Sequence, residues 1–513
     1  MYKNFLFILV NFLALIGLNF TANLFLHNYL EIGKNFYIET FATLIILTLI
    51  SFFPKKLKIF TATLFFIFEL IDLTSFIYFH NHIQYYQIGI IFNLNDLEDM
   101  IIALKPIISQ IAVGFSILIG FIFLISKIDT KTNKKSIFAF IFILLFLSFQ
   151  IFKKPYLYIS SSSHLSYLNT LFSINLYIKS LFTKSHKKFK PYIVQKVDNG
   201  KHLVVFILGE SLNYKRMHLF GFNIKDTPYL EKFAKENPNF IYKKAISSGV
   251  NTSMAMAHLF NLKREPQNVD VILNQKTDLL KLAKENNYKV YWISKQEVST
   301  NILKSMFNYA DVIKQDSYFI KHHKKYDTAL LEELKKIDLS KKSFIVLHLR
   351  ANHSPYEEYT PKEFYKYNFH TSNFHKKMLN SYIDSVLFVD KLLYDIFSYL
   401  KNKKDISVYF VSDHGEMLGF KEENGKYGHS QLDINCAYIP FLYYSDTKKE
   451  LNKTLYNHYL IGKMVARDLG YKVINPNDNN NTYYINGMKK IDGSNGYIEY
   501  NLTPFKVIKK VMF

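Results

Sequence analysis

The chain has 513 residues and a formal net charge of +22, from 64 Lys and Arg against 42 Asp and Glu, with one cysteine and 17% aromatic residues. At about 100–200 residues per domain the length excludes a single small binding module, and one cysteine excludes a disulfide-stapled scaffold. The charge leaves open a nucleic-acid or anionic-membrane partner beside plain coding bias toward Lys, Asn, Ile, Phe and Tyr, and it is unevenly placed: residues 1–153 carry 11 Lys and 8 acids, a net of +3, leaving +19 for residues 154–513.

Five apolar stretches approach the roughly 20 residues that cross a bilayer. They are residues 5–26, which hold no charge, then 36–53, 59–79, 107–126 and 136–152, so residues 1–152 read as a transmembrane domain. A cleavable signal peptide is the alternative for the first stretch, but the run is longer than a typical apolar signal core and lacks a small-residue cleavage site. With the N-terminus inside, Lys3, Lys55, Lys56, Lys58, Lys127, Lys131, Lys134 and Lys135 face the cytoplasm against only Lys34 and Lys105 outside. That bias places everything after the fifth span beyond the inner membrane, on a periplasmic or extracellular face.

Glu69 and Asp72 lie three apart in the third span, and carboxylates at that depth call for a partner or a wet cavity. Snorkelling or helix–helix hydrogen bonding is favoured over a substrate role. The loop 80–105, with Asn93, Asn95, Asp96, Glu98 and Asp99 among apolar residues, reads as an amphipathic surface helix. Residues 153–200, with Lys184, Lys187, Lys188 and Lys190, read as linker helices lying in the interface.

Residues 201–513 alternate two periodicities. The runs 203–208, 290–293, 344–349 and 406–411 read as buried parallel strands; 277–285, 328–337 and 379–401 read as helices. The fold class is therefore an α-helical five-span membrane domain followed by an α/β domain, a mixed, mainly parallel sheet flanked by helices. In such sheets ligands gather beyond the carboxyl ends of the strands.

Three strand ends carry metal-type residues: Glu210 after the first, Asn352 and His353 after the third, Asp413 and His414 after the fourth. His429 follows in the next loop. Carboxylate and imidazole ligands without thiolates suit zinc first and manganese second. The hydroxyl-rich turn 247–253 precedes an apolar segment, 254–260, that can open a helix. There Thr252 is either an ordinary cap or a nucleophile, and the second role needs a bound metal to generate an alkoxide.

With these residues the chain resembles the membrane-bound phosphoethanolamine transferases of the alkaline phosphatase and sulfatase superfamily, over nearly its whole length. Residues 204–211, ending Gly209-Glu210-Ser211, are similar to that family's strand ending in Gly-Glu-Ser/Thr. Gly249-Val250-Asn251-Thr252 is similar to its Gly-Thr-x-Thr segment, and Ser412-Asp413-His414-Gly415-Glu416 matches its Ser-Asp-His-Gly-Glu. The resemblance implies an alkaline-phosphatase-like fold in the periplasm, zinc on Glu210, Thr252, Asp413 and His414, Thr252 as nucleophile, and His353 and His429 in catalysis, phosphate binding or a second metal site. It implies phosphatidylethanolamine as donor and lipid A, a lipo-oligosaccharide core or a surface protein as acceptor, with no nucleic acid and a monomeric enzyme in the inner membrane. Asn93, Glu98, Lys295 and Gln296 are the expected substrate contacts.

There are departures. The family's disulfides are impossible here, and His258 stands at one of its cysteine positions. A phosphoglycerol transferase of the same superfamily and a non-enzymatic polyanion receptor remain alternatives. A formylglycine sulfatase is disfavoured because Cys436 lies in Asn435-Cys436-Ala437-Tyr438, not in a Cys/Ser-x-Pro-x-Arg setting.

Overall fold

The computed structural model describes residues 2–26, 34–79, 82–83, 85, 88, 108–130, 132–153, 166–182, 188–297, 303, 305–367, 371, 373–478, 481–487, 492–493 and 496–512. Asn93 and Glu98, most of the expected surface helix, residues 160–163, Lys184 and Lys187 lie outside this set. The chain falls into two compact units, essentially residues 1–183 and 184–512.

The first unit consists of helices α1 (Tyr2–Leu26), α2 (Lys34–Ser51), α3 (Lys55–Phe79), α4 (Ile108–Ser126), α5 (Lys135–Lys153) and α6 (Ser166–Phe182). Pro54 lies just before α3, where its missing N–H costs nothing. Phe7, Ile46, Phe66, Phe121 and Tyr167 form part of the core, while Phe5, Phe41, Phe60, Phe123 and Phe142 are exposed. A bundle apolar inside and outside would aggregate in water and is suited to hydrocarbon. Among the described residues α3 alone is long and apolar enough to cross a membrane, and 2–18, 39–51, 111–126 and 135–145 are shorter apolar stretches.

The two carboxylates of α3 are fully buried and satisfied within this unit. Glu69 accepts from the Tyr167 backbone N–H at 2.9 Å. Asp72 accepts from the Ile83 N–H at 2.8 Å and from Asn169 at 3.2 Å, and lies 2.7 Å from His82 Nδ1. Thr170 donates to the Phe68 carbonyl at 2.7 Å. The carboxylates thus fasten α6 along α3, which is the helix–helix reading of their presence.

In the second unit eight strands form one sheet: β1 (Leu203–Gly209), β2 (Phe240–Ile246), β3 (Lys289–Ser294), β4 (Val312–Lys314), β5 (Ser343–His348), β6 (Ile406–Ser412), β7 (Tyr438–Ser445) and β8 (Leu455–Asn457). Their order is β8-β2-β7-β6-β1-β5-β3-β4. Pairings are parallel except those of β7, which is antiparallel to both β2 and β6. Every residue of β1, β5 and β6 is buried, as a sheet covered on both faces requires. The pairs Gly209↔Ser412, Leu208↔His348 and Ser294↔His348 bring four strands to a level end.

Helix boundaries follow the caps. The helix expected from 277 begins as Leu279–Glu285, because Asp278 accepts from Leu280 N and Lys281 N. Helix α8, Phe374–Leu400, begins five residues before the expected 379, because Asn373 accepts from Lys376 N. The polar stretch His375-Lys376-Lys377 hides that first turn from apolar periodicity. Helices α7 (Thr252–Phe260) and α9 (His458–Asp468) follow β2 and β8 in the chain. A separate antiparallel sheet of β9 (Thr482–Asn486), β10 (Tyr497–Leu502) and β11 (Phe505–Val511) follows, and Asn486 N donates to the Ser248 carbonyl at 2.8 Å.

Candidate metal centre and nucleophile

Because β1, β5 and β6 run parallel and end level, the residues that follow them leave the same edge of the sheet. Asp413 N donates to the Gly209 carbonyl at 3.0 Å, which ties the β6 exit to the β1 exit. Ser211 sits at φ 53, and in that left-handed turn its N–H reaches Asp413 Oδ1 at 3.0 Å while its hydroxyl donates to Glu210 Oε1 at 2.6 Å. Both carboxylates are thereby oriented by one residue.

Glu210, Asp413 and His414 are completely buried, and their ligand atoms all lie within 4.8 Å of one another. His414 Nδ1 faces the Gly415 carbonyl at 3.2 Å, an acceptor only, so Nδ1 carries the proton and Nε2 presents a lone pair. That lone pair stands 3.4 Å from Glu210 Oε1 and 3.4 Å from Asp413 Oδ2. Asp413 Oδ2 is buried with no hydrogen-bond partner among the described residues. Three electron-rich atoms facing one another, one of them orphaned, repel unless a cation stands between them. The donor set of two carboxylates and one imidazole fits a divalent metal such as zinc.

Electrostatics agree with that reading. Burial raises Glu210, but the neighbouring imidazoles of His414, His353 and His429 and the Ser211 hydrogen bond hold it well below the usual carboxylate range. Burial and the neighbouring Glu210 charge push Asp413 well above its ordinary value. Burial, with the His429 charge, pushes His414 down to about 3, so it is a neutral ligand at physiological pH.

Thr252 enters from the turn after β2. Its Oγ1 lies 3.3 Å from Glu210 Oε2 and 3.5 Å from His414 Nε2. It is the first residue of α7, whose N-cap Asn251 accepts from Met254 N at 3.0 Å. The helix is capped by Asn251, not by Thr252, so the threonine hydroxyl is left to the cluster. Gly249 is required by the tightness of the turn: a Cβ there would lie 2.7 Å from Ala255 N and 2.8 Å from Met254 Cβ.

A second group, His414, Glu416 and His429, also meets the geometry for a metal. His429 Nδ1 lies 2.7 Å from Glu416 Oε2, and its ring centroid is 4.3 Å from that of His414. Burial lowers His429, but the Glu416 charge and hydrogen bond, with Glu210 and Asp413, outweigh it and raise the imidazole to about 9. His353 is 6.3 Å from His429 between ring centroids, and its Nδ1 faces the Ser354 carbonyl at 2.6 Å. Its loop is fixed by Asp327, which accepts from Arg350 N at 2.8 Å and Ala351 N at 2.9 Å.

Six of the expected residues, Glu210, Thr252, His353, Asp413, His414 and His429, are thus brought together. Gln296 and Lys295, expected to bind substrate, are engaged with protein groups. Gln296 Nε2 donates to Glu210 Oε2 at 2.9 Å and to the Leu349 carbonyl at 2.6 Å, so it orients one carboxylate of the cluster. Lys295 is buried, with Nζ 2.7 Å from Asp316 Oδ1 and 2.8 Å from the Lys324 carbonyl. Sequence reasoning missed the role of Glu416, although it closes the Ser-Asp-His-Gly-Glu run; its partner lies 13 residues on, across a loop. It also missed Ser211 and His348, whose ring faces Ser294 Oγ at 2.9 Å.

The sulfatase family model matches residues 202–499. Phosphoethanolamine transferase EptC of Escherichia coli strain K12 is 24% identical over 346 residues, 60% of this chain and 58% of that protein. Phosphoethanolamine transferase EptA of Helicobacter pylori is 25% identical over 387 residues, 68% of this chain and 71% of that protein. The match thus spans less than two thirds of EptC. Among solved structures, the integral membrane lipooligosaccharide phosphoethanolamine transferase A (EptA) of Neisseria meningitidis superimposes with a TM-score of 0.61 at 18% identity, over 91% of this chain and 95% of that one. At that identity the likeness is one of fold.

Proposed function

The chain belongs to the sulfatase family, and on that premise we propose that it is a membrane-bound phosphoethanolamine transferase, moving phosphoethanolamine from phosphatidylethanolamine to an envelope acceptor such as lipid A, a lipo-oligosaccharide core or a surface protein. The observation that carries the proposal is the convergence of Thr252 Oγ1 on Glu210 and His414 beside the orphaned Asp413 Oδ2. In this reading helices α1–α5 cross the inner membrane and residues 201–513 work in the periplasm. Formylglycine chemistry has no place in it, since the buried Cys436 sits against the Gly428 carbonyl at 4.0 Å and not in the cluster.

Glu210, Asp413 and His414, with Thr252, would hold zinc. When bound, the ion would lower the threonine hydroxyl's pKa and offset charge on the phosphoryl oxygens. Thr252 Oγ, its proton released to water, attacks the phosphorus; the Thr252 O–P bond forms and the P–O bond to diacylglycerol breaks. The departing diacylglycerol oxygen takes a proton, and His429, raised to about 9 and so protonated at neutral pH, would give it. The amide groups of the first turn of α7 favour an anionic oxygen. In the second half the acceptor hydroxyl or phosphate loses a proton to the now neutral His429 and attacks the phosphothreonine; its O–P bond forms as the Thr252 O–P bond breaks, and Thr252 Oγ takes a proton back from water. His353, its Nδ1–H held by the Ser354 carbonyl and its ring 6.3 Å from that of His429 between centroids, would serve through Nε2 as a second base.

The full-length protein in vesicles, given headgroup-labelled phosphatidylethanolamine or phosphatidylglycerol, tests this. Label should pass from phosphatidylethanolamine to protein and acceptor, and Thr252→Ala should abolish both while retaining most of the zinc. Transfer from phosphatidylglycerol alone would favour a phosphoglycerol transferase, and normal transfer by Thr252→Ala would refute the nucleophile.

A further inference from the structure

His458 is the first residue of α9, placed by the short strand β8, whose pairing Asn457↔Ile246 brings its end level with β2. That topology adds another residue to the edge of the sheet that carries the metal ligands. His458 is wholly buried. Its Nε2 lies 2.9 Å from the Ser412 carbonyl, the residue before Asp413. Its Nδ1 lies 3.2 Å from Ser248 N and 3.1 Å from Ser248 Oγ, in the turn that leads to Thr252.

The partners fix the tautomer. A carbonyl only accepts, so Nε2 carries the proton and donates to Ser412; Nδ1 then has a lone pair and accepts from the Ser248 N–H. One rigid ring therefore joins the strand end bearing Asp413 and His414 to the turn bearing the nucleophile. Ser247 adds a parallel tie: its hydroxyl lies 2.5 Å from the Asp413 carbonyl and 2.8 Å from that of Gly249. The turn is held further by Ser247 N donating to the Ala437 carbonyl at 2.8 Å, Ser430 N donating to the Val250 carbonyl at 2.9 Å, His258 Nδ1 facing the Ser248 carbonyl at 3.2 Å and the Asn486 bond to Ser248. None of these ties reaches the metal-bearing strand end.

We infer that His458 is a positioning residue that sets the distance between the Thr252 hydroxyl and the Asp413–His414 ligand pair, acting through the backbones of Ser248 and Ser412. The inference rests on the phosphoryl-transfer reading of the site. It predicts a defect in the chemical step without loss of the metal, because no ligand atom is touched. An error of about 1 Å between reacting groups can cost about 100-fold in rate.

The test uses full-length His458→Ala, His458→Asn, which keeps an acceptor near the Nδ1 position, and His458→Gln, which keeps a donor near Nε2. For His458→Ala, kcat should fall by roughly ten- to a hundred-fold, with KM for phosphatidylethanolamine and zinc content unchanged. His458→Asn and His458→Gln should each recover part of kcat. Hydrogen exchange at the amides of Ser248 to Thr252 should quicken in His458→Ala and be slower again in His458→Asn. Unchanged kcat and unchanged exchange in a folded His458→Ala protein would overturn the inference, as would loss of zinc in parallel with kcat in all three variants. Should the wild-type protein transfer nothing, the reading of function fails while the exchange measurement still decides the clamp. Should His458→Ala not fold, the two amide variants carry the same comparison.

Discussion

Glu416 divides its two oxygens between His429 Nδ1, at 2.7 Å from Oε2, and the Tyr356 hydroxyl, at 2.8 Å from Oε1. The carboxylate is almost fully buried, so its charge acts on His429 with little screening. This is what lifts the imidazole to about 9. Glu416→Gln keeps an acceptor and a similar shape but removes the charge, so His429 should fall toward or below the ordinary imidazole value. A group that must be protonated to assist the leaving oxygen fails as pH rises through its pKa. The alkaline limb of the transfer rate should therefore move to lower pH in Glu416→Gln. A pH profile of kcat reads this directly, and an unmoved alkaline limb would remove His429 from the acid role. The same pair stabilises the fold below about pH 6.5, the unfolded imidazole value, and that contribution fades as pH climbs through about 9.

Metal binding should be linked to proton release. In the metal-free site Glu210 is ionised and His414 neutral, while burial and Glu210 hold Asp413 protonated well above the ordinary aspartate range. A cation that uses Asp413 Oδ2 must displace that proton. Calorimetry of zinc addition in two buffers of different ionisation heat should return about one proton released per ion, and affinity should rise about tenfold per pH unit while Asp413 remains protonated. Asp413→Asn should bind more weakly and release none. The raised carboxyl also costs the metal-free fold stability as pH rises above the unfolded aspartate value, so added zinc should raise Tm more at pH 8 than at pH 5. Proton-independent binding would contradict the ligand assignment.

Gln296 illustrates a support that only the fold reveals. Its amide spans Glu210 Oε2 and the Leu349 carbonyl, fixing the rotamer of a residue 86 positions away. Supports of this kind typically govern metal affinity by 10- to 100-fold. Gln296→Ala should weaken zinc binding by about that factor while leaving the thiol count and fold unchanged, measured by competition with a chromophoric chelator. Zinc affinity equal to the wild type would return Gln296 to a substrate-facing role.

What the sequence made legible, and what it did not, follows from the range of each interaction. Strands β1, β5 and β6 are continuous apolar runs buried on both faces, so their ends, and with them Glu210 and Asp413, are readable as local pattern. β7 is equally apolar, but its antiparallel direction depends on register with β2 and β6, which composition does not encode. His458 follows a three-residue strand, too short to stand out, and its partners lie 46 and 210 positions away. The fold likewise answers the question raised by Glu69 and Asp72, since their partners come from α6 and residues 82–83, about 10 to 100 positions on.

That last cluster gives a prediction for the helical unit. Asp72 accepts from the Ile83 N–H at 2.8 Å and from Asn169 at 3.2 Å, beside His82 Nδ1 at 2.7 Å. Asp72→Ala removes the acceptor of the buried Ile83 N–H and one of two groups facing Asn169 Nδ2, the other being His82 Nδ1 at 2.9 Å, and a buried donor left unsatisfied costs about 1–3 kcal/mol. Asn169→Ala removes one partner of a carboxylate that keeps others, so its cost should be smaller. The two changes share a contact and should not add: Asn169→Ala should cost less in an Asp72→Ala background than in the wild type, by about 0.5–1 kcal/mol or more. Thermal unfolding of the full-length protein in detergent, for both single variants and the double variant, measures the coupling. Full additivity would mean that the Asn169–Asp72 contact adds nothing to the hold of α6 on α3, leaving the Glu69 and Thr170 bonds and packing to supply it.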